Sequence, residues 1–165
     1  MFKYWLIAVV VVIVDQLSKL WAVKNLLRGS IELTPFLNLY LVFNSGAAFG
    51  FLGGASGWQN LLFVGIAILV SFVIIMMAKR LGANDLQVLT GLMLILGGAI
   101  GNLIDRIRQG YVVDFVDFHY QDWHWPAFNV ADSAITVGAV LLVLDALGIG
   151  FRKRFRKPQS DDYDF

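Results

Sequence analysis

The chain has 165 residues, of which 58% are hydrophobic and only 15% are charged, and its net charge is +1. A soluble domain carries about a quarter charged residues, so this composition excludes an ordinary soluble domain and favours lipid as the solvent. The nearly neutral charge gives no reason to expect nucleic acid as a partner. Because cysteine is absent, disulfides, a thiolate nucleophile and cysteine-ligated metals are excluded.

Four long apolar stretches predict four membrane-spanning helices within one domain, residues 1–150. They cover about residues 4–23, 58–78, 86–104 and 128–149, close to the roughly 20 residues that a helix needs to cross a bilayer. Lipid cannot satisfy backbone hydrogen bonds, and the alternating pattern of a membrane barrel is missing, so helices are expected. The first stretch could instead be a signal peptide, but it is long, charges interrupt it and no small-residue cleavage site follows. We therefore expect a retained helix.

Basic residues in the connections predict the orientation. Lys3, the Lys79–Arg80 turn and a basic run within residues 152–157 lie on the side of the two termini, and fewer basic residues lie on the other side. Both termini are thus expected in the cytoplasm, and residues 25–57 and 105–127 outside it. Residues 151–165, first basic and then acidic, are expected to form a disordered cytoplasmic tail.

The two outward segments are longer than a simple helix bundle needs. The stretch IELTPFLNLYLVFN, residues 31–44, is rich in β-forming residues and predicts one or two strands. The glycine-rich stretch NSGAAFGFLGGASG, residues 44–57, predicts tight turns. The aromatic and acidic residues 109–129 suit the membrane interface. The predicted fold class is an all-α membrane protein with four transmembrane helices and a small extracytoplasmic β-rich segment.

Polar residues in or beside the spans are candidate functional positions, since a charge at a helix centre costs about 2.5–3.5 kcal/mol on insertion. Asp15 and Lys19 are four residues apart on one helix face and can neutralise each other as a structural pair. Asn102, Asp105 and Arg106 bring polar side chains to the outer end of the third span. The alternative is a purely structural role, in which the arginine side chain snorkels to the membrane surface beside its counter-ion.

Asp114 and Asp132 are the candidate catalytic pair. Asp114 lies between apolar residues, and Asp132 lies at the head of the fourth span, where a stabilising first-turn residue is the alternative interpretation. If the last two spans pack as antiparallel neighbours, the carboxylates meet and share a proton, one as general base on a water and the other as general acid. Asp117, three residues after Asp114, is expected to be solvated or to cap an element.

The same residues are open to other functional interpretations. His119 and His124 with nearby acids raise the alternative of a zinc or manganese site, but their spacing fits no strong motif, so no metal or other cofactor is predicted. A proton-coupled transporter would spread acids across the bilayer and show inverted repeats, which are not detected. A non-catalytic assembly factor has no reason to place two acids at facing helix ends.

Five segments, in this order along the chain, together resemble the bacterial lipoprotein signal peptidase (signal peptidase II) family. They are VDQLSK (14–19), NSGAAF (44–49), GGAIGNLIDR (97–106), GYVVDF (110–115) and FNVADSAI (128–135). The resemblance implies an aspartic endopeptidase of the bacterial inner membrane, active at the extracytoplasmic surface. It would cleave the signal peptide from diacylglyceryl-modified prolipoproteins just before the modified cysteine and would bind the antibiotic globomycin. We expect a monomer in contact with membrane lipid.

The resemblance also assigns roles to individual residues. It implies that Asp114 and Asp132 are catalytic. It implies that four polar residues line the site and bind substrate or inhibitor: Asn44, Asn102, Arg106 and Asn129. Supporting roles fall to five further residues: Asp15, Lys19, Asp105, Gly46 and Ala131.

Overall fold

The computed structural model describes residues 2–46, 58–81 and 85–150. Within these ranges the elements are α1 (Phe2–Leu26), β1 (Ile31–Thr34), β2 (Leu37–Asn44), α2 (Trp58–Arg80), α3 (Leu86–Gln109), β3 (Val112–Tyr120), β4 (Trp123–His124) and α4 (Val130–Ala146). Most of the predicted glycine-rich turns (47–57) and the predicted tail (151–165) lie outside the described residues.

The prediction of a helix in each apolar stretch is confirmed, with changes at the ends. In the described part of the chain, α1, α2 and α3 are long and apolar enough to cross a membrane. The predicted 128–149 helix is shorter, at 17 residues, because Asn129 caps it and it ends at Ala146. The predicted 86–104 helix is longer, since α3 continues to Gln109 before Gly110 ends it in a left-handed conformation, with φ +83°.

Helix α3 is the centre of the bundle and packs against α1, α2 and α4. Glycines permit this packing, as small residues commonly do between membrane helices. A Cβ at Gly91 would lie 2.9 Å from the carbonyl oxygen of Gly138, and a Cβ at Gly97 would lie 2.7 Å from Cβ of Val11. These glycines therefore allow the helix backbones to approach closely, which sets α4 directly beside α3.

Gly98→Ala is expected to destabilise the protein by about 1–3 kcal/mol, the usual cost of overpacking a tight contact. The new methyl group would meet the backbone carbonyl of Ala131 in α4, which cannot rotate away as a side chain can. Thermal unfolding in detergent measures the change. Gly65→Ala in α2 is the matched control, because its Cβ meets nothing within 4 Å. Equal unfolding temperatures for the two variants would contradict the observed α3–α4 contact.

A four-stranded antiparallel sheet, in the order β1-β2-β3-β4, covers one end of the helix bundle. Its apolar contacts include Phe115, which packs with Ala22 and Leu26 at the end of α1. The predicted strands within 31–44 are confirmed as β1 and β2. Strands β3 and β4 were not predicted, because the aromatic residues of that segment were interpreted only as an interface belt. Pairing of Val42 with Asp114 brings the end of β2 to the candidate catalytic residue.

Candidate active site

Asn129 connects the two candidate catalytic carboxylates. Its side-chain Nδ2 donates to Oδ1 of Asp114 at 2.6 Å. Its backbone N–H donates to Oδ2 of Asp132 at 3.2 Å, and its Oδ1 accepts from the Asp132 backbone N–H at 2.9 Å. The last two bonds form the capping box that begins α4. The first-turn interpretation of Asp132 is confirmed, and the residue that caps the helix with it, Asn129, also bonds to Asp114.

Asp114 is almost completely buried, at 1% exposure. Besides Asn129, the side chain of Asn44 donates to it, from Nδ2 to Oδ2 at 2.9 Å. The pKa of Asp114 is raised to about 6, chiefly by burial and also by the negative charge of Asp132, while the two amide hydrogen bonds act in the opposite direction. A carboxyl with a pKa in this range can exchange a proton near neutral pH, as acid–base catalysis requires.

The amide of Asn102 links Asp132 to Lys19. Its Nδ2 donates to Oδ1 of Asp132 at 2.8 Å, and its Oδ1 accepts from Nζ of Lys19 at 2.9 Å. An ammonium group can only donate, so Lys19 fixes which side of the Asn102 amide faces Asp132. Both oxygens of Asp132 therefore receive N–H donors, one from Asn102 and one from Asn129.

A buried ion cluster lies directly behind this amide. Nζ of Lys19 is 2.8 Å from Oδ2 of Asp15 and 2.8 Å from Oδ2 of Asp105. The predicted pair of Asp15 and Lys19 is confirmed, and it is extended by Asp105. Asp15 also accepts the backbone N–H of Ala131 at 2.9 Å, and Asp105 accepts that of Val113 at 3.3 Å. The cluster thus ties α1 and α3 to the segments that carry the two candidate catalytic residues.

The remaining predicted residues lie around the same site. Gly46 has φ +87°, a conformation that favours glycine, and its N–H donates to Oδ1 of Asn44 at 2.9 Å. That bond turns the Asn44 amide so that its nitrogen faces Asp114. The guanidinium of Arg106 lies over the ring of Phe63, 5.0 Å from its centre, and its Nη1 contacts the Asn102 carbonyl oxygen at 3.5 Å.

The expectation that Asp117 is solvated or a cap is wrong. Asp117 is completely buried, and its two carboxylate oxygens lie 2.9 and 3.0 Å from Nδ1 of His124. The turn between β3 and β4 folds His124 back onto the strand, where its ring stacks on that of His119. Burial and the charge of Asp117 raise the pKa of Tyr40. Among the described residues, no group of three metal-ligating side chains of the His, Cys, Asp or Glu type is placed to hold an ion.

Two clefts open beside the carboxylates. The cleft beside Asp114 has a volume of about 290 Å³, and Asn44, Ser45 and Pro126 contribute to its walls. The cleft beside Asp132 has a volume of about 610 Å³ and is walled mainly by aromatic and aliphatic side chains. Each carboxylate is therefore reached from a different cleft.

A bundle of apolar helices with linked, buried polar side chains at one end is the arrangement expected of a membrane enzyme. The chain belongs to the signal peptidase II family, whose model, described as "Signal peptidase (SPase) II", matches residues 7–148. This family consists of aspartic peptidases that remove signal peptides from prolipoproteins. The predictions of the family, of an enzyme and of its general function are confirmed.

Similar proteins agree with this assignment along most of the chain. Lipoprotein signal peptidases of Burkholderia thailandensis and Paraburkholderia phytofirmans are 54% and 53% identical to this chain over 145 residues. The alignments cover 87% of this chain, 87% of the first protein and 84% of the second. Two solved structures of bacterial membrane enzymes are 34% identical and have TM-scores of 0.76 and 0.79. Each covers 89% of this chain, with 88% and 94% of the solved chains covered.

Proposed function

We propose that this peptidase cuts diacylglyceryl-modified prolipoproteins just before the modified cysteine, and that Asp114 and Asp132 are its catalytic pair. The observation that carries the proposal is the side chain of Asn129, which bonds to Asp114 while its cap holds Asp132. Two acids from distant segments are thereby kept in one fixed relation. A merely structural cap of α4 would need no bond to Asp114.

In this proposal the pair holds one proton and acts as a unit. The unprotonated carboxylate takes a proton from a water, which attacks the carbonyl carbon of the scissile peptide bond. The protonated carboxyl donates its proton to the carbonyl oxygen, and a tetrahedral intermediate forms. The intermediate collapses when the amide nitrogen takes up the proton held by the pair and the C–N bond breaks. One hydroxyl of the intermediate returns its proton to the pair, so the products are an amine and a carboxylic acid and the pair again holds one proton. Burial of Asp114 supports this scheme, because it raises the pKa of this carboxyl toward neutral pH, where the group can both take up and give up a proton.

The polar residues around the pair divide into two groups. The side chains of Asn44, Asn102 and Asn129 already donate to the carboxylates, so we propose that their first task is to hold these acids in place. The guanidinium of Arg106 has more N–H donors than its contact with the Asn102 carbonyl oxygen uses, and we propose that it binds a substrate carbonyl or a lipid ester oxygen. Globomycin-like inhibitors would bind at the same four residues and so compete with the substrate.

We further propose that residues 1–150 form one domain that crosses the bacterial inner membrane four times and acts as a monomer. Helix α4 is the short member, and its 17 residues extend about 25 Å, slightly less than a typical hydrocarbon core. Short helices are accommodated by local thinning or by their flanking residues. Both termini would be cytoplasmic, and the sheet with the site would lie at the extracytoplasmic surface.

The test uses the purified protein in lipid vesicles with two forms of one precursor peptide, one carrying diacylglyceryl on its cysteine and one unmodified. We expect cleavage of the lipidated form only, with a product whose mass places the cut before the modified cysteine, and we expect globomycin to inhibit it. Equal cleavage of both forms, or a cut at another bond, would contradict the proposed specificity.

Asn44→Ala is expected to shift the acidic side of the pH profile of kcat/KM to higher pH. The change removes a hydrogen bond that stabilises the charged form of Asp114, so the pKa of this group should rise above about 6. Initial rates measured across the pH range test the shift. Asn38→Ala, in the same strand but opposite Asp117, is the control and should leave the profile in place. An unchanged profile in Asn44→Ala would mean that Asp114 does not control it.

A further inference from the structure

The cleft beside Asp132 is built largely of aromatic side chains. Trp123 and Trp125 meet edge to face with ring centres 5.9 Å apart, and Phe118 and Phe128 stack at 5.8 Å. Asp132 also contributes to the wall of this cleft, so a group in the cleft would lie next to a candidate catalytic carboxylate. Its volume of about 610 Å³ is within the usual range for small-molecule sites.

The two hydroxyl groups in the cleft wall are already engaged. Ser133 donates to the carbonyl oxygen of Asn129 at 2.9 Å, and Thr136 donates to that of Asp132 at 2.9 Å. Both hydroxyls therefore bond to the backbone of their own helix rather than to an occupant. An extended peptide in this cleft would lose hydrogen bonds to water without replacing them, whereas a hydrocarbon chain has none to lose.

The cleft also continues into the lipid-facing side of α4. Val137, at 52% exposure, contributes to its wall, and Val140 and Val143 are exposed further along the same helix at 51% and 58%. The two tryptophans in the cleft wall belong to a residue type that prefers the membrane interface. An apolar chain that begins beside Asp132 can thus pass along α4 into the bilayer without crossing a polar surface.

Given the proposed function, we propose that this cleft binds an acyl chain of the diacylglyceryl group on the substrate cysteine. That cysteine directly follows the scissile bond, so its lipid begins only a few bonds from the reacting carbon. The cleft beside Asp114, with Asn44 and Ser45 in its walls, suits the peptide instead. Occupation of the aromatic cleft would explain how the enzyme selects a lipidated cysteine.

The test compares two diacylglyceryl precursors with the same peptide, one with palmitoyl and one with butyryl chains, on wild-type and Val137→Trp protein. The larger side chain should fill the cleft and raise KM for the palmitoyl substrate by about tenfold or more, with kcat and the butyryl substrate little affected. The ratio of variant to wild type is taken for each substrate, which removes differences in membrane partition. Val143→Trp, on the same exposed face but outside the cleft, is the matched control.

Each outcome decides the proposal. No change for either substrate overturns it. An equal change for both substrates also overturns it, because the cleft would then bind a part that both substrates share, such as the signal helix. If wild-type protein cuts neither substrate, the proposed function itself fails. Should Val137→Trp not fold, a photoreactive diazirine in the palmitoyl chain, bound to Asp114→Asn protein, should label Trp123, Trp125 or Thr136. Labelling confined to α1 or α2 would overturn the acyl-chain site.

Discussion

Replacement of Asp114 by Asn is expected to lower the rate of cleavage by about 10²- to 10⁴-fold, the usual contribution of a positioned acid or base. The variant keeps the size of the side chain but cannot hold the exchangeable proton of the pair. Asn129 and Asn44 both donate to this carboxylate, so one hydrogen bond is lost, and a small decrease in stability accompanies the loss of activity. Cleavage of the lipidated precursor under single-turnover conditions measures the effect.

The same loss of rate is expected for Asp132→Asn. The double variant should cleave only slightly more slowly than either single variant, because the effects of residues that act as a unit do not add. Asp145→Asn is the control, because Asp145 is at the far end of α4 from the site. Binding of the precursor should persist in both catalytic variants. Normal rates in Asp114→Asn and Asp132→Asn would show that another group activates the water, and additive losses would show that the two acids do not share a proton.

The parts of the fold that depend on local sequence could be predicted. Long apolar stretches determine where the helices lie, and the β-forming residues 31–44 determine β1 and β2. The pair of Asp15 and Lys19 also follows from local spacing, since side chains four residues apart share a helix face. The two candidate catalytic acids were found because charged residues beside apolar segments are expensive and therefore conspicuous.

Contacts between distant segments could not be predicted from the residues alone. Lys19 reaches Asn102 across 83 positions, and no pattern in either helix indicates the bond. The error at Asp117 has a similar origin, because its partner His124 is brought back only by the turn after β3, where Gln121 has φ +55°. The β-branched and aromatic residues of VVDFVDFHY were the available signal for that strand, but the aromatic content was interpreted as the membrane interface instead.

Lys19→Met is expected to destabilise the protein by about 3–5 kcal/mol, the cost of leaving a buried charge without its partner. Lys19 is 3% exposed, and its ammonium group lies between the carboxylates of Asp15 and Asp105. Methionine has a similar length and fills the space. The loss of stability therefore results from the missing charge and not from a cavity. Activity should fall as well, because the amide of Asn102 is then no longer held with its nitrogen toward Asp132.

Unfolding in detergent and cleavage of the lipidated precursor measure the two effects separately, with the exposed Lys24→Met as the matched control. The double variant Lys19→Met/Asp105→Asn should regain part of the lost stability. In the single variant two buried carboxylates lose their cation, whereas in the double variant only that of Asp15 does. It should not regain full activity, since the ammonium that orients Asn102 is still absent. Stability equal to wild type in Lys19→Met would show that the cluster does not hold the helices together. Full activity in that variant would show that the geometry of Asp132 does not depend on Lys19.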